Sequence, residues 1–358
     1  MSFVAGLAEV GAADTARAGG KAAALGELGR AGIHVPRGYV VTAAAFGLVM
    51  DAVDPSGAIR GALGSLSADD LDGIARAAAD LRARITAAPL PPGVAAEIVD
   101  AYRRLDVAAD LMVAVRSSAT MEDSPEASFA GLQDTYLAVR GADAVLDRIR
   151  ACWASLYNNE SVSYRRRQGF GEAGLAMGVV VQRMLSPRSA GVMFTRSPVT
   201  GDRSVVAIEG TWGLGSALVA GEVTPDSFTV SKVTGEITGR RVGAKLRVHS
   251  VKPNGDGITA LAMPAVLRRT PCLTDDEARA LAQVGRQVEE HYGVPQDIEW
   301  ALLGDSPGCP ALHADHEERI MLLQSRPETV WAAREHAPIA TAAPRASDHV
   351  LARFRKAL

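Results

Sequence analysis

The hydrophobic pattern of this chain changes period near Met177, and that change restricts the fold more than any other feature. Before it, apolar residues recur at helical spacing; after it, they fall in short β-rich runs broken by Gly, Pro and Asp. Ala24, Leu25 and Leu28 mark a first helix after Gly19, Gly20 and Lys21, with a Gly29–Gly32 break before an extended Tyr39–Thr42 run. Ser67 with Asp70 imitates a capping box for a helix carrying Leu71, Ile74, Ala78, Leu81 and Ile85. Pro89, Pro91 and Pro92 stop it, and a second helix is expected over Val94 to Leu105. Val145, Ile149, Trp153 and Tyr157 stripe another, a core face rather than a cofactor face. Beyond Met177, MGVVVQRML, AGVMFTRSP, SVVAIEG and DSFTVSKVTGEITGRRV read as strands, with Thr234–Gly235 at a hairpin turn. Thr274 with Glu277 caps a helix to about Tyr292, and QDIEWALL and RIMLLQSRP read as two strands joined by a loop. Helices first, strands second, a helix and hairpin last: this order predicts an α+β or α/β chain with two lobes.

With 358 residues, 47% of them hydrophobic, the chain can bury a substantial core and is not disordered throughout. A net charge of −3 gives no global basic field for nucleic acid or an anionic membrane, so any anion site is local. Cys152, Cys272 and Cys309 have no paired metal spacing and read as buried or incidental thiols in a reducing compartment. There is no run of eighteen apolar residues and no charged n-region leading into an apolar segment, so a soluble, cytoplasmic protein is expected.

A few residues could carry chemistry. Lys21 follows two glycines and opens a helix, a place where backbone can approach an anion and a lysine adds a mobile positive charge. The GxxxxGK[ST] spacing of a P-loop is missing, however, and a surface lysine has the same local pattern. Arg116 ends an apolar Leu111–Val115 run and is either paired, with Asp123 or Glu126 for example, or offered to a ligand. The small-residue segment Ala127–Gly131 and the polar Gln133, Asp134 and Thr135 could cover a phosphate. Glu299 and Gln324 lie in two strands that could pair, and Arg326 shares the face of Gln324. A carboxylate beside an amide oxygen suits Mg²⁺, and the arginine suits a transferred phosphoryl group; an exposed Glu–Arg pair is the alternative. Arg165, Arg166 and Arg167 read as a solvated helix end, and His313 and His316 as a solvated loop. Thr195 to Pro198 and Thr211 to Gly215 are turns to which the sequence gives no role.

In combination these segments resemble a known family. GGKAAALGELGRAGIHVPRGYVVT, VRSSATMEDSPEASFAGLQDTY, CWASLYNNESVSYR, VVVQRMLSPRSAGVMFT, WGLGSALVAGEVTPDSF and DIEWALL with MLLQSRPET stand in order from Gly19 to Thr329. This order is similar to that of the ATP-binding module of phosphoenolpyruvate synthases, pyruvate phosphate dikinases and rifampin phosphotransferases. The resemblance implies an α+β, two-lobed ATP-grasp fold over residues 1–330, with lobes of about 1–190 and 191–330, nucleotide in the cleft between them, and a linker and tail over 331–358. Position by position it implies that Lys21 and Arg116 contact the phosphates of ATP, and that Gly131 and Thr135 belong to the covering loop. It places Gln182 near the adenine, Glu299 and Gln324 on Mg²⁺, and Arg326 at the transferred phosphates. Lys21, Arg116 and Arg326 are the expected catalytic residues.

Family members ordinarily carry a swivelling domain with a phosphorylatable histidine after this module. None of the seven histidines here stands in such a motif, so a phosphotransferase subunit serving a separate histidine-bearing partner is expected, as in phenylphosphate synthase. The final acceptor would be a small molecule such as pyruvate or a phenol. The alternatives are a truncated phosphoenolpyruvate synthase or rifampin phosphotransferase, and a non-catalytic nucleotide-binding regulatory protein.

Overall fold

The change of period at Met177 falls at a strand that still belongs to the first sheet, and the second sheet begins with the next strand, at Ser189. The computed structural model describes residues 2–105, 111–120, 134–172, 174–252, 255, 257–304, 319–329 and 331, with the backbone of 123–124 and 127–128. Residues 1–328 form one compact unit; of the second, 329–358, only Thr329 and Trp331 are described. The tail expected beyond Ala332 lies outside the described residues.

From the N-terminus, β1 (Val4–Gly6) leads through two 3-10 turns into α1 (Thr15–Ala18) and α2 (Gly20–Arg30). β2 (Gly38–Val41) precedes α3 (Ala43–Val53), α4 (Ala58–Ser65), α5 (Leu71–Ala87) and α6 (Pro92–Leu105). Next come β3 (Met112–Ala119), the two-residue β4 (Asp123–Ser124) and β5 (Ala127–Ser128), β6 (Thr135–Arg140), α7 (Ala142–Ser155) and α8 (Asn159–Arg167). β7 (Met177–Arg183), β8 (Ser189–Phe194), β9 (Val205–Trp212), α9 (Ser216–Val219), β10 (Asp226–Ser231) and β11 (Ile237–Arg241) follow. The last are β12 (Arg247–Val251), β13 (Ile258–Ala262), α10 (Asp275–Tyr292), β14 (Gln296–Leu302) and β15 (Ile320–Pro327).

One sheet has the order β1-β2-β7-β3-β6 and the other β11-β10-β9-β8-β14-β15, while β12 and β13 form a hairpin. The ladders within both large sheets are antiparallel, and helices and strands are mixed in an α+β arrangement. Helices α3 and α5 to α8 bury Phe46, Ile74, Leu81, Ile98, Trp153 and Val162 against Val113, Val115 and Val181 of the first sheet, and Tyr157, in the turn after α7, joins them. Helix α10 buries Leu281, Val284 and Val288 with Ile208, Phe228 and Trp300 of the second. Helix α2 serves both sheets: Ala22 and Leu25 join Val40 and Val180, and Leu28 joins Trp300 and Leu322. No helix among the described residues is long and apolar enough to cross a membrane.

Local signals explain most boundaries. Thr274 and Glu277 form the expected capping box, and Gly293 ends α10 at φ 70°. Helix α5 differs from expectation in its cap: the Asp70 carboxylate, not Ser67, accepts the Gly73 N–H at 2.9 Å. Pro92 opens α6 instead of ending α5, since the first turn needs no proline N–H. The largest difference is Arg165. It is not solvated but 1% exposed, paired to Glu172 at 2.7 and 3.2 Å and to the Leu156 carbonyl at 2.8 Å. The chain returns after α8 and supplies the carboxylate, a contact that helix periodicity cannot signal.

Two close approaches fix the start of α2. Gly19 has φ 82°, and a Cβ there would lie 1.8 Å from the Ser118 carbonyl oxygen of β3. The Ser118 hydroxyl accepts the Ala22 N–H at 3.1 Å. The glycine before Lys21 therefore permits contact with β3. Gly19→Ala combines a disfavoured backbone angle with overlap, and a loss of about 2 kcal/mol or more is expected in urea denaturation.

Glu277 adds a pH-dependent fastening. Burial alone would raise its carboxyl, but Arg188 at 2.6 Å and the Thr274 N–H at 2.8 Å outweigh burial and hold it below its ordinary value of 4.5. A depressed carboxyl stabilises the fold above its unfolded value and loses that contribution as pH falls through the folded value. Glu277→Gln should therefore lower the melting temperature at pH 7, with the gap to wild type narrowing below about pH 4.5.

Candidate functional site

Strand register brings distant residues onto one wall. Arg116 of β3 stands opposite Thr135 of β6, and Ala114 opposite Gln182 of β7. Residues 114 and 116 share a face, as alternate strand positions must. In the second sheet Glu299 pairs with Gln324 across β14 and β15, and a bulge follows, so that Trp300 pairs with Leu322. These strands border a cavity of about 550 Å³, whose lining includes Arg116, Thr135, Gln182 and Glu299. The remainder of its wall is largely apolar, with Met184, Leu185, Pro187, Ala190 and Leu214 among the lining residues.

One end of the cavity is charged. The Arg116 guanidinium donates from Nη2 to Glu299 Oε2 at 2.7 Å and to Gln324 Oε1 at 2.9 Å, and from Nη1 to the Leu323 carbonyl at 2.6 Å. Its Nε–H is buried without a hydrogen-bond partner among the described residues. The partner of Arg116 is thus a carboxylate from the other sheet; the side chains of Asp123 and Glu126 lie outside the described residues. Arg326 donates to Asp297 Oδ2 at 2.9 and 2.6 Å. Burial raises the Asp297 carboxyl, Arg326 pulls it back, Glu299 and Glu328 push it up again, and the balance lies above its ordinary value.

The sequence reading missed Asp297. It lies two residues before Glu299 and hence on the same strand face, so the DIE spacing could have revealed it. Among the described residues no group of three or more His, Cys, Asp and Glu side chains could hold a metal ion. Asp297, Glu299 and Gln324 nevertheless offer two carboxylates and an amide oxygen, the hard donors a Mg²⁺ ion takes when it keeps waters or phosphate oxygens as its other ligands. A cationic group already lies against two of them, since the guanidinium contacts Glu299 and Gln324. The donor set fits a divalent ion.

The other expected residues divide. Gln182 is 2% exposed; it donates from Nε2 to the Pro36 carbonyl at 3.1 Å and reaches the cavity wall. Arg326 stands one face position along from Gln324, opposite Asp297. Lys21, half-buried at the start of α2, does not line the cavity. Its charge acts on the Cys152 thiol, which burial pushes far up and Lys21 partly offsets. Gly131 lies outside the described residues, as do Cys309, His313 and His316. Thr211 to Gly215, for which no role is expected from sequence, leads from β9 to the cavity wall at Leu214 and Gly215.

Residues 15–347 match the family described as pyruvate phosphate dikinase, AMP/ATP-binding domain. The chain is 42% identical to a "Probable phosphoenolpyruvate synthase" of Methanothermobacter thermautotrophicus, over 92% of this chain and 46% of that protein. It is 45% identical to a rifampicin phosphotransferase of Streptomyces sp, over 85% of this chain and 35% of the relative. With a phosphoenolpyruvate synthase of Aeropyrum pernix the identity is 39%, over 88% of this chain and 41% of the relative. The chain thus spans less than half the length of these relatives. On the match across most of its length, this chain belongs to the family of pyruvate phosphate dikinase AMP/ATP-binding domains.

Proposed function

We propose that the chain is the ATP-binding part of a dikinase-type phosphotransferase. It binds Mg·ATP in the cavity between the two sheets, in an ATP-grasp arrangement whose lobes divide near residue 190, at the start of β8. The observation that carries this reading is the Arg116 cluster, where a guanidinium from one sheet meets Glu299 and Gln324 of the other at the charged end of an apolar cavity. Such a cavity suits a ligand with an aromatic half and a polyanionic half.

In this reading Arg116 and Arg326 neutralise charge on the phosphates, and Lys21 adds a mobile cation from the start of α2. The apolar walls exclude water around the nucleoside, and Gln182 borders the base. Asp297, Glu299 and Gln324 would hold Mg²⁺, which when bound supplies charge neutralisation at the phosphate oxygens. Catalysis of this kind is positional and electrostatic and requires no covalent residue in the cavity. The phosphoryl group passes to a histidine on a swivel domain or separate subunit, and from there to a small acceptor such as pyruvate or a phenol.

Arg116→Ala and Lys21→Ala are each expected to lower phosphoryl transfer on the order of a hundredfold or more. The test uses β- and γ-labelled ATP with a histidine-bearing partner domain; unchanged labelling of that partner by both variants rejects the assignment. For the metal, Asp297→Asn and Glu299→Gln should weaken ATP binding about tenfold or more in Mg²⁺ and change it little in EDTA, by calorimetry. Equal losses in both solutions would remove these residues from the metal site.

A further inference from the structure

On the cavity wall one hydroxyl has a partner network of its own. Ser216, the first residue of α9, lines the wall among Leu185, Pro187, Ala190, Leu214 and Val219. Its Oγ lies 2.9 Å from His249 Nδ1, and His249 Nε2 lies 3.3 Å from Glu222 Oε2. His249 is 8% exposed, and Arg247 approaches the same Glu222 oxygen at 3.5 Å. The backbone secures this arrangement: the Leu214 N–H donates to the His249 carbonyl at 3.4 Å, and a Cβ at Gly213 would meet Val248 at 2.7 Å. β12 is thus packed directly beneath the turn that presents Ser216.

The partners set the hydrogen positions. A carboxylate only accepts, so the imidazole hydrogen faces Glu222 from Nε2, and in the neutral ring Nδ1 is left as an acceptor. With that neutral tautomer the single Ser216 hydrogen points to Nδ1, and the Oγ lone pairs remain as acceptors. Oriented this way, the hydroxyl accepts hydrogen bonds from a ligand and does not donate them.

We propose that Ser216 is a nucleoside-reading residue: its Oγ accepts a hydrogen bond from a donor on the nucleoside half of ATP, and His249, held by Glu222, positions it. This rests on the nucleotide reading above, which puts the phosphates at Arg116 and directs the nucleoside to the apolar part of the wall that Ser216 also lines. The donors available there are the ribose hydroxyls and the adenine 6-amino group. Either one satisfies an acceptor-only hydroxyl, whereas the 6-oxo group of guanine does not.

The test measures binding of ATP, 2′-deoxyATP, 3′-deoxyATP and purine riboside triphosphate to wild type and Ser216→Ala, with melting curves as the fold control. Losing one hydrogen bond is expected to weaken ATP five- to tenfold in the variant. The preference of wild type for ATP over one of the three analogues should also vanish, and that analogue identifies the donor. His249→Phe should reproduce the loss in wild type but add little in the Ser216→Ala background, which a purely structural role would not do. ATP affinity within twofold of wild type in Ser216→Ala, or survival of all three preferences, overturns the Ser216 assignment alone. A folded wild-type chain that takes up no ATP overturns the nucleotide reading and this assignment together.

Discussion

The contact between Arg116 and the Glu299–Gln324 pair is the constraint on which the rest of the site depends. A guanidinium removed from water is tolerated only where acceptors surround it, and here the acceptors come from another sheet. The contact therefore requires β3, β14 and β15 to be correctly registered at once. Glu299 is 31% exposed, so breaking the pair costs less than for a fully buried one, on the order of 2 kcal/mol. Its larger consequence is geometric, because it ties β3 to β14 and β15 at the cavity wall.

Helix α2 stabilises the same arrangement. Leu25 packs with the first sheet and Leu28 with the second, one helical turn apart, so a single rigid element spans both cores. Its start is fixed by Gly19 and the Ser118 hydroxyl, two residues along β3 from Arg116. The helix that carries Lys21 and the strand that carries Arg116 thus share one anchor, although the two side chains do not share the cavity wall.

What the sequence made legible follows the range of the interactions. The capping box at Thr274 and Glu277, the stripe of α7 and the β14–β15 pair depend on neighbours within a few residues or on strict alternation, and each could be read directly. The cross-sheet partner of Arg116 could not, because Glu299 lies 183 residues away and Asp123 and Glu126 were nearer in sequence. Arg165 was misjudged for the same reason: its carboxylate belongs to the segment after the helix. Asp297 was within reach of period-two reasoning. Ser216 and His249 were not, since nothing local joins residues 33 positions apart.

The charged cluster also limits how a metal can enter. Glu299 Oε2 and Gln324 Oε1 accept from the same Arg116 nitrogen, so on the proposed reading a divalent ion on those oxygens competes with that cation. A displaced guanidinium needs anionic acceptors close by, and its Nε–H has none among the described residues. Phosphate oxygens would satisfy that need, and Mg²⁺ held by Asp297, Glu299 and Gln324 would neutralise the phosphate charge. On the proposed reading, metal and triphosphate are therefore favoured together: the metal alone would strand a buried arginine, and the triphosphate alone would face Asp297, whose carboxyl already lies above its ordinary value.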